Sequence, residues 1–145
     1  EVILAGRNLN DNMGIYIADE TIRLMRNKSI SLGNAELLIM GFTFKENCPD
    51  HRNTRVMDII KRLNQLEIKV DIHDPWVDAS DVKNDHGVDV SNAISDKLYD
   101  AIIIAVAHDD FRNMEIEDFQ KLTKENNVIF DVKSILSYKD SDGRL

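Results

Sequence analysis

Apolar residues along this chain fall into two kinds of run, and the runs alternate. Residues 35–40 and 101–106 are nearly continuous in Ala, Leu, Ile, Val and Met, as buried parallel strands are. Residues 69–73, in which Val70 and Ile72 alternate with polar residues, and the apolar-rich 128–132 read as two further, shorter strands. Between them Val56, Ile59, Ile60, Leu63 and Leu66 recur with the i, i+3, i+4, i+7 spacing of an amphipathic helix, with Asn53 or Thr54 as its cap. Ile116, Phe119 and Leu122 mark a second helix over residues 115–124. Weaker signals predict a short helix and turn within residues 78–87, an edge strand at 88–90 and a helix over 92–98. Ahead of all these, residues 12–27 lack proline. They carry two apolar stripes, Ile15, Ala18, Ile22 and Met25 beside Ile17, Thr21 and Leu24, behind the capping residues Asn10 and Asp11. The alternation of strands and helices specifies an α/β fold, a Rossmann-like three-layer parallel sheet of order 3-2-1-4-5 preceded by a long helix. Residues 29–34 read as the one hinge, so residues 1–30 are expected to end a linker helix and residues 31–145 to form the sheet domain.

Composition narrows the function classes. The chain has 145 residues, 43% hydrophobic and 30% charged, with a net charge of −8. It can build a core, and it offers no basic face to nucleic acid or an anionic membrane. No apolar stretch approaches the roughly 20 residues of a membrane span. The single cysteine, Cys48, excludes an internal disulfide and suits a reducing, cytoplasmic setting. Residue 1 is Glu rather than Met and reads as the inside of an element, which predicts an excised part of a longer protein.

Against this acidic background, residues 41–55 stand out. They leave the carboxyl end of the first strand, where open α/β sheets bind ligands. They place Lys45, Arg52 and Arg55 against Glu46 and Asp50, just before a helix amino end. Lysine offers a point charge, each arginine a planar fork and the helix end unpaired amides, a combination suited to phosphate. The alternative is an ordinary salt-bridged surface. The G-x-G-x-x-G fingerprint of a dinucleotide site is absent after this strand, and Asp74-Pro75 therefore reads as a turn rather than a ribose-binding acid. Cys48 lies near His51, but nothing orients the pair as a nucleophile and base. The four histidines show no metal-ligand spacing, and His108-Asp109-Asp110 reads as a plain loop.

The strings Gly41-Phe-Thr-Phe-Lys-Glu-Asn-Cys-Pro-Asp-His-Arg-Asn-Thr-Arg55, Asp74-Pro75-Trp76-Val77-Asp78 and Phe130-Asp131-Val132-Lys133 closely resemble the C-terminal domain of the UDP-glucose/GDP-mannose dehydrogenases. Within that family the likeness is greatest to the bacterial UDP-N-acetylhexosamine 6-dehydrogenases of surface-polysaccharide synthesis, and residues 5–14 fit the entry to that domain. The resemblance implies an enzyme that oxidises a sugar C6 hydroxyl to a carboxylate in two steps with two NAD. An N-terminal domain would bind NAD, a central helix would carry homodimer contacts, and residues 31–145 would close over the UDP-sugar. It places substrate contacts on Phe44, Lys45 and Lys133, and the NAD-contacting arginine on Arg52. Lys133 follows Val132 where the family has a Gly-Arg pair. The family's catalytic cysteine belongs to an upstream glycine-rich motif that these residues lack, so Cys48 is not its counterpart and this stretch alone is expected to be inactive. Two other readings stay open: a stand-alone nucleotide-binding regulatory module, or an oligomerisation module built on the leading helix.

Overall fold

The computed structural model describes the backbone of residues 2–145 and the side chains of residues 12–145. Helix α1 spans Val2–Asn27. Strand β1, Glu36–Met40, starts the sheet and is followed after a long loop by α2, Val56–Gln65. Then come β2, Lys69–His73; α3, Ala79–His86; and the two-residue β3, Val90–Ser91. Strand β4, Tyr99–Ile104, leads into the short helices α4, Asp109–Arg112, and α5, Ile116–Gln120. Strand β5, Thr123–Asp131, and β6, Gly143–Arg144, complete the chain. The sheet has six strands in the order β3-β2-β1-β4-β5-β6, all parallel. The predicted order 3-2-1-4-5 is reproduced, with β6 added at one edge. Two residues carry no readable period, so β6 left no trace in the sequence pattern.

Alternation along the strands divides the core into two layers. Leu37, Ile39, Ala101, Ile103, Val128 and Phe130 face α1 and α2, where they meet Ile17, Ala18, Ile22, Met25, Ile59, Ile60 and Leu63. Leu38, Met40, Ile102, Ile104 and Ile129 face the other way, onto Phe111, Phe119 and Leu122 of the α4–α5 region. The second half of α1 therefore shares one core with the sheet. Contact between α1 and α2 is close at Gly14, where a Cβ would lie 2.5 Å from Cβ of Asp58. Of the apolar stripes proposed for this helix, Ile15 faces solvent together with Tyr16, and the others are buried or half-buried.

Several local expectations are corrected. The caps at Asn10 and Asp11 are not used, because α1 runs through both back to Val2. Nothing in residues 2–9 breaks a helix as proline would, and each added residue gains a backbone bond; the side chains of Asn10 and Asp11 lie outside the described residues. At α2 the N-cap position falls on Arg55, although the Thr54 hydroxyl oxygen does accept the Val56 amide at 3.1 Å. Residues 92–98 are irregular rather than helical. There Ser91 and Ser95 hydrogen-bond nearby backbone, and the Asn92 side chain donates to the carbonyls of Asp74 and Val77, both at 2.9 Å. Such local side-chain bonds compete with a helix. The helix expected over 115–124 stops at Gln120, and β5 begins earlier than expected, at Thr123.

The turn out of β1 depends on Gly41. Its φ is +102°, its amide donates to the His73 carbonyl at 2.8 Å, and an added Cβ would sit 2.5 Å from Cβ of Val106. Gly87 also has a positive φ, +74°, but a Cβ there meets open space. Gly41→Ala is therefore expected to cost about 3 kcal/mol, from backbone strain and overpacking together. Gly87→Asn is expected to stay within about 1 kcal/mol, because asparagine tolerates the left-handed region. Urea unfolding of the two variants checks the contrast.

Candidate functional site

The loops at the carboxyl ends of β1, β2, β4 and β5 meet at one edge of the sheet, and buried polar residues at the strand ends hold them. Asp74, one residue beyond β2, is fully buried. Its Oδ2 accepts the amides of Phe42 at 2.6 Å and Thr43 at 3.2 Å, and its Oδ1 accepts the Trp76 amide at 2.7 Å. The same Oδ2 lies 2.9 Å from Nε2 of His108, which is also fully buried. His108 Nδ1 accepts the Asn47 amide at 2.9 Å, so the ring proton sits on Nε2 and points at Asp74 and, at 3.2 Å, at the Thr43 hydroxyl. That hydroxyl in turn donates to the Lys45 carbonyl at 2.9 Å. Trp76 stacks on the His108 ring from the outer side, and its indole N–H donates to Asp110 at 2.9 Å. Asp74 is thus the anchor of the residue 42–47 loop rather than a bare turn. Burial pushes its carboxyl upward, but the bonds from His108, Phe42 and Trp76 prevail and hold it below the usual carboxylate range.

Asp131, at the end of β5, plays the same part for the neighbouring loop. It is fully buried and accepts the amides of Ile135 at 3.1 Å and Leu136 at 2.8 Å, with Nη2 of Arg144 at 3.8 Å. The loop that it folds carries Lys133.

These anchors fix where the predicted site residues lie. Phe44 and Lys133 line a single cavity of about 440 Å³ together with Arg55. Its apolar wall comes from β4's continuation, Ala105 and Val106, and from Met13 and Ile17 of α1. Lys45, one residue beyond Phe44, projects from the same loop and is exposed. Arg52 does not join this cavity. It lines a separate depression of about 390 Å³ beside Cys48 and the α3 acids Asp81 and Asp85. Its side chain is 79% exposed and rests 3.3 Å from Asp50. The Arg52 amide and then its guanidinium hold the Asp50 carboxyl below its ordinary value. His51 is nearly buried and pairs with His86, Nδ1 to Nε2 at 3.2 Å, rather than with Cys48. Among the described residues no three His, Cys, Asp or Glu side chains cluster as a metal site. No described helix is long and apolar enough to cross a membrane.

Residues 38–138 match the family model for the UDP-glucose/GDP-mannose dehydrogenase family, UDP binding domain. The chain belongs to that family. Over all of its 145 residues it is 48% identical to the UDP-N-acetyl-D-glucosamine 6-dehydrogenase of Salmonella typhi and 46% identical to that of Pseudomonas aeruginosa. It spans 34% of the length of each of these relatives. The UDP-N-acetyl-mannosamine dehydrogenase Cap5O of Staphylococcus aureus superposes with a TM-score of 0.73 at 26% identity, over 96% of this chain and 32% of that one. The NDP-N-acetyl-D-galactosaminuronic acid dehydrogenase of Methanosarcina mazei Go1 shares the fold, with a TM-score of 0.86 at 20% identity, over 99% of this chain and 31% of that one.

Residue type alone marks Asp74 as a turn and His108 as a plain loop of this UDP binding domain, whereas both are buried and bonded to each other. A signal was present for two of these anchors: His108 and Asp131 each close a strongly apolar run, and a polar side chain entering the core there must find partners, whereas Asp74 follows the mixed run Lys69–His73 and carried no such mark. Replacing Asp74 with Asn leaves too few acceptors for its donors, and the expected cost at pH 7 is about 3 kcal/mol. The pH dependence has a definite sign. A lowered native pKa means that the wild-type advantage is complete above the unfolded aspartate value, about 4, and is lost as pH falls through the native value. Urea unfolding of wild type and Asp74→Asn between pH 7 and pH 3 should show the gap narrowing only on the acid side.

Proposed function

We propose that this chain is the UDP-sugar-binding domain of an NAD-dependent nucleotide-sugar 6-dehydrogenase of surface-polysaccharide synthesis. Its substrate would be a UDP-hexose or UDP-N-acetylhexosamine. The observation that carries the reading is the cavity at the sheet's carboxyl edge, where Phe44, Arg55 and Lys133 converge beside the exposed Lys45 in a chain of net charge −8. The 46–48% identity to UDP-N-acetyl-D-glucosamine 6-dehydrogenases supports a UDP-N-acetylhexosamine in particular.

In this reading residues 1–30 end the helix that links the domain to an N-terminal NAD-binding domain, and residues 31–145 form the substrate domain of a cytoplasmic homodimer. Lys45 neutralises charge near the diphosphate as a mobile ammonium. Phe44, 54% exposed, supplies a ring and backbone at the cavity rim. Lys133 brings a second cation from the loop after β5. Arg52 reaches across to NAD as the domains close, and its loose, solvent-facing contact with Asp50 leaves its guanidinium able to do so. NAD supplies hydride acceptance for the C6 oxidation when bound. The contribution of this domain is binding, orientation and the exclusion of water from the closed cleft.

Amide-shift titration of the chain with UDP is expected to move residues 42–47 and the surroundings of Lys133, and Lys45→Ala should abolish the response. A flat titration, with unchanged kinetics for Lys45→Ala in the full-length enzyme, would remove the assignment. In that enzyme Lys45→Ala should raise KM for the UDP-sugar at least tenfold, whereas Arg52→Ala should raise KM for NAD and leave KM for the UDP-sugar within twofold.

A further inference from the structure

The backbone of the residue 42–47 loop is tied down far more completely than its exposed side chains require. Asp74 holds the amides of Phe42 and Thr43, the Asp50 carbonyl accepts the Phe44 amide at 2.8 Å, and the Thr43 hydroxyl donates to the Lys45 carbonyl. These ties hold residues 42–45. Asn47, the last residue of the loop, is bonded to the segment that follows β4. The Asn47 amide donates to His108, its side-chain Oδ1 accepts the Asp109 amide at 2.9 Å, and its φ of +56° turns the chain back toward Asp50. Asparagine suits all three demands: it tolerates the left-handed region and carries a short amide oxygen that can accept a nearby backbone N–H.

Asn47 is itself exposed, as are Phe44, Lys45 and Glu46. The clasp therefore does not bury apolar surface. It fixes the backbone beneath a cationic side chain, an arrangement that lowers the ordering cost of binding. We propose that Asn47 is a positioning residue for the nucleotide-sugar substrate. By locking the Phe44–Lys45 segment to the β4–α4 junction, it presents Lys45 to the anionic part of the ligand in its bound geometry. The inference rests on the UDP-sugar reading of this loop.

The test is steady-state kinetics of the full-length enzyme with UDP-N-acetyl-D-glucosamine at saturating NAD. Asn47→Ala loses both the side-chain acceptor and the tolerance of a left-handed backbone, and should raise KM about tenfold with kcat within twofold. Asn47→Gly keeps the backbone conformation and the amide bond to His108, so it should recover part of the loss, to about threefold. In the Asn47→Ala background the KM effect of Lys45→Ala should shrink, because the ammonium is already misplaced. If Lys45→Ala raises KM but neither Asn47 variant does, or if the Asn47 variants lower kcat at unchanged KM, the positioning role is wrong and the binding role of the loop survives. If Lys45→Ala itself leaves KM unchanged, the underlying reading fails and this inference falls with it. A thermal midpoint within a few degrees of wild type confirms that each variant folds.

Discussion

A single buried carboxylate organises the carboxyl edge of the sheet. Asp74 sits where β2 ends, yet two of its bonds go to the loop that follows β1 and another to His108 after β4. Three segments far apart in the chain are thereby joined at one oxygen pair. In a low-dielectric interior such a charge needs full compensation, and its donors leave little freedom in how the segments meet. His108 extends the constraint one step further, because a ring with its proton on Nε2 has only Nδ1 left to accept the Asn47 amide. The shape of the residue 42–47 loop follows from this chain of donors and acceptors more than from the loop's own preferences.

The same device recurs at β5. Asp131 is buried at the strand's end and collects the amides of Ile135 and Leu136, which folds the segment carrying Lys133 against β6. Two anionic anchors therefore sit beneath two cation-bearing loops. The arrangement separates roles cleanly: the acids satisfy backbone donors inside, and the lysines keep their charge outside. It explains how a strongly acidic chain can present a cationic cavity rim.

Helix α1 belongs to this arrangement in two ways. Its buried face completes the core layer over β1, β4 and β5, and Met13 and Ile17 form part of the cavity wall. The close approach at Gly14 sets how near the helix lies to α2, and hence the width of the cavity between that helix pair and the strand ends. A change in the angle of α1 would move a wall of the site.

Strand type, helix type and sheet order were legible from hydrophobic period, because burial on two faces imposes continuous apolar runs on β1 and β4, and burial on one face imposes the α2 spacing. The residue string around Lys45 was also legible, as was its place after the carboxyl end of β1. Local competition decided the differences: serines and an asparagine hold residues 92–98 out of a helix, and α1, with no proline to stop it, runs past its apparent caps. Apart from the Trp76 amide, the hydrogen-bond partners of the Asp74, His108 and Asn47 side chains named above lie 31 to 65 residues away, and no local pattern records which donors a buried acceptor will meet. The sequence by itself thus determined the elements, their order and the chemical character of the loop. The tertiary structure alone decided that Phe44 and Lys133 share a cavity while Arg52 faces another, because that depends on where satisfied backbone groups pin each loop.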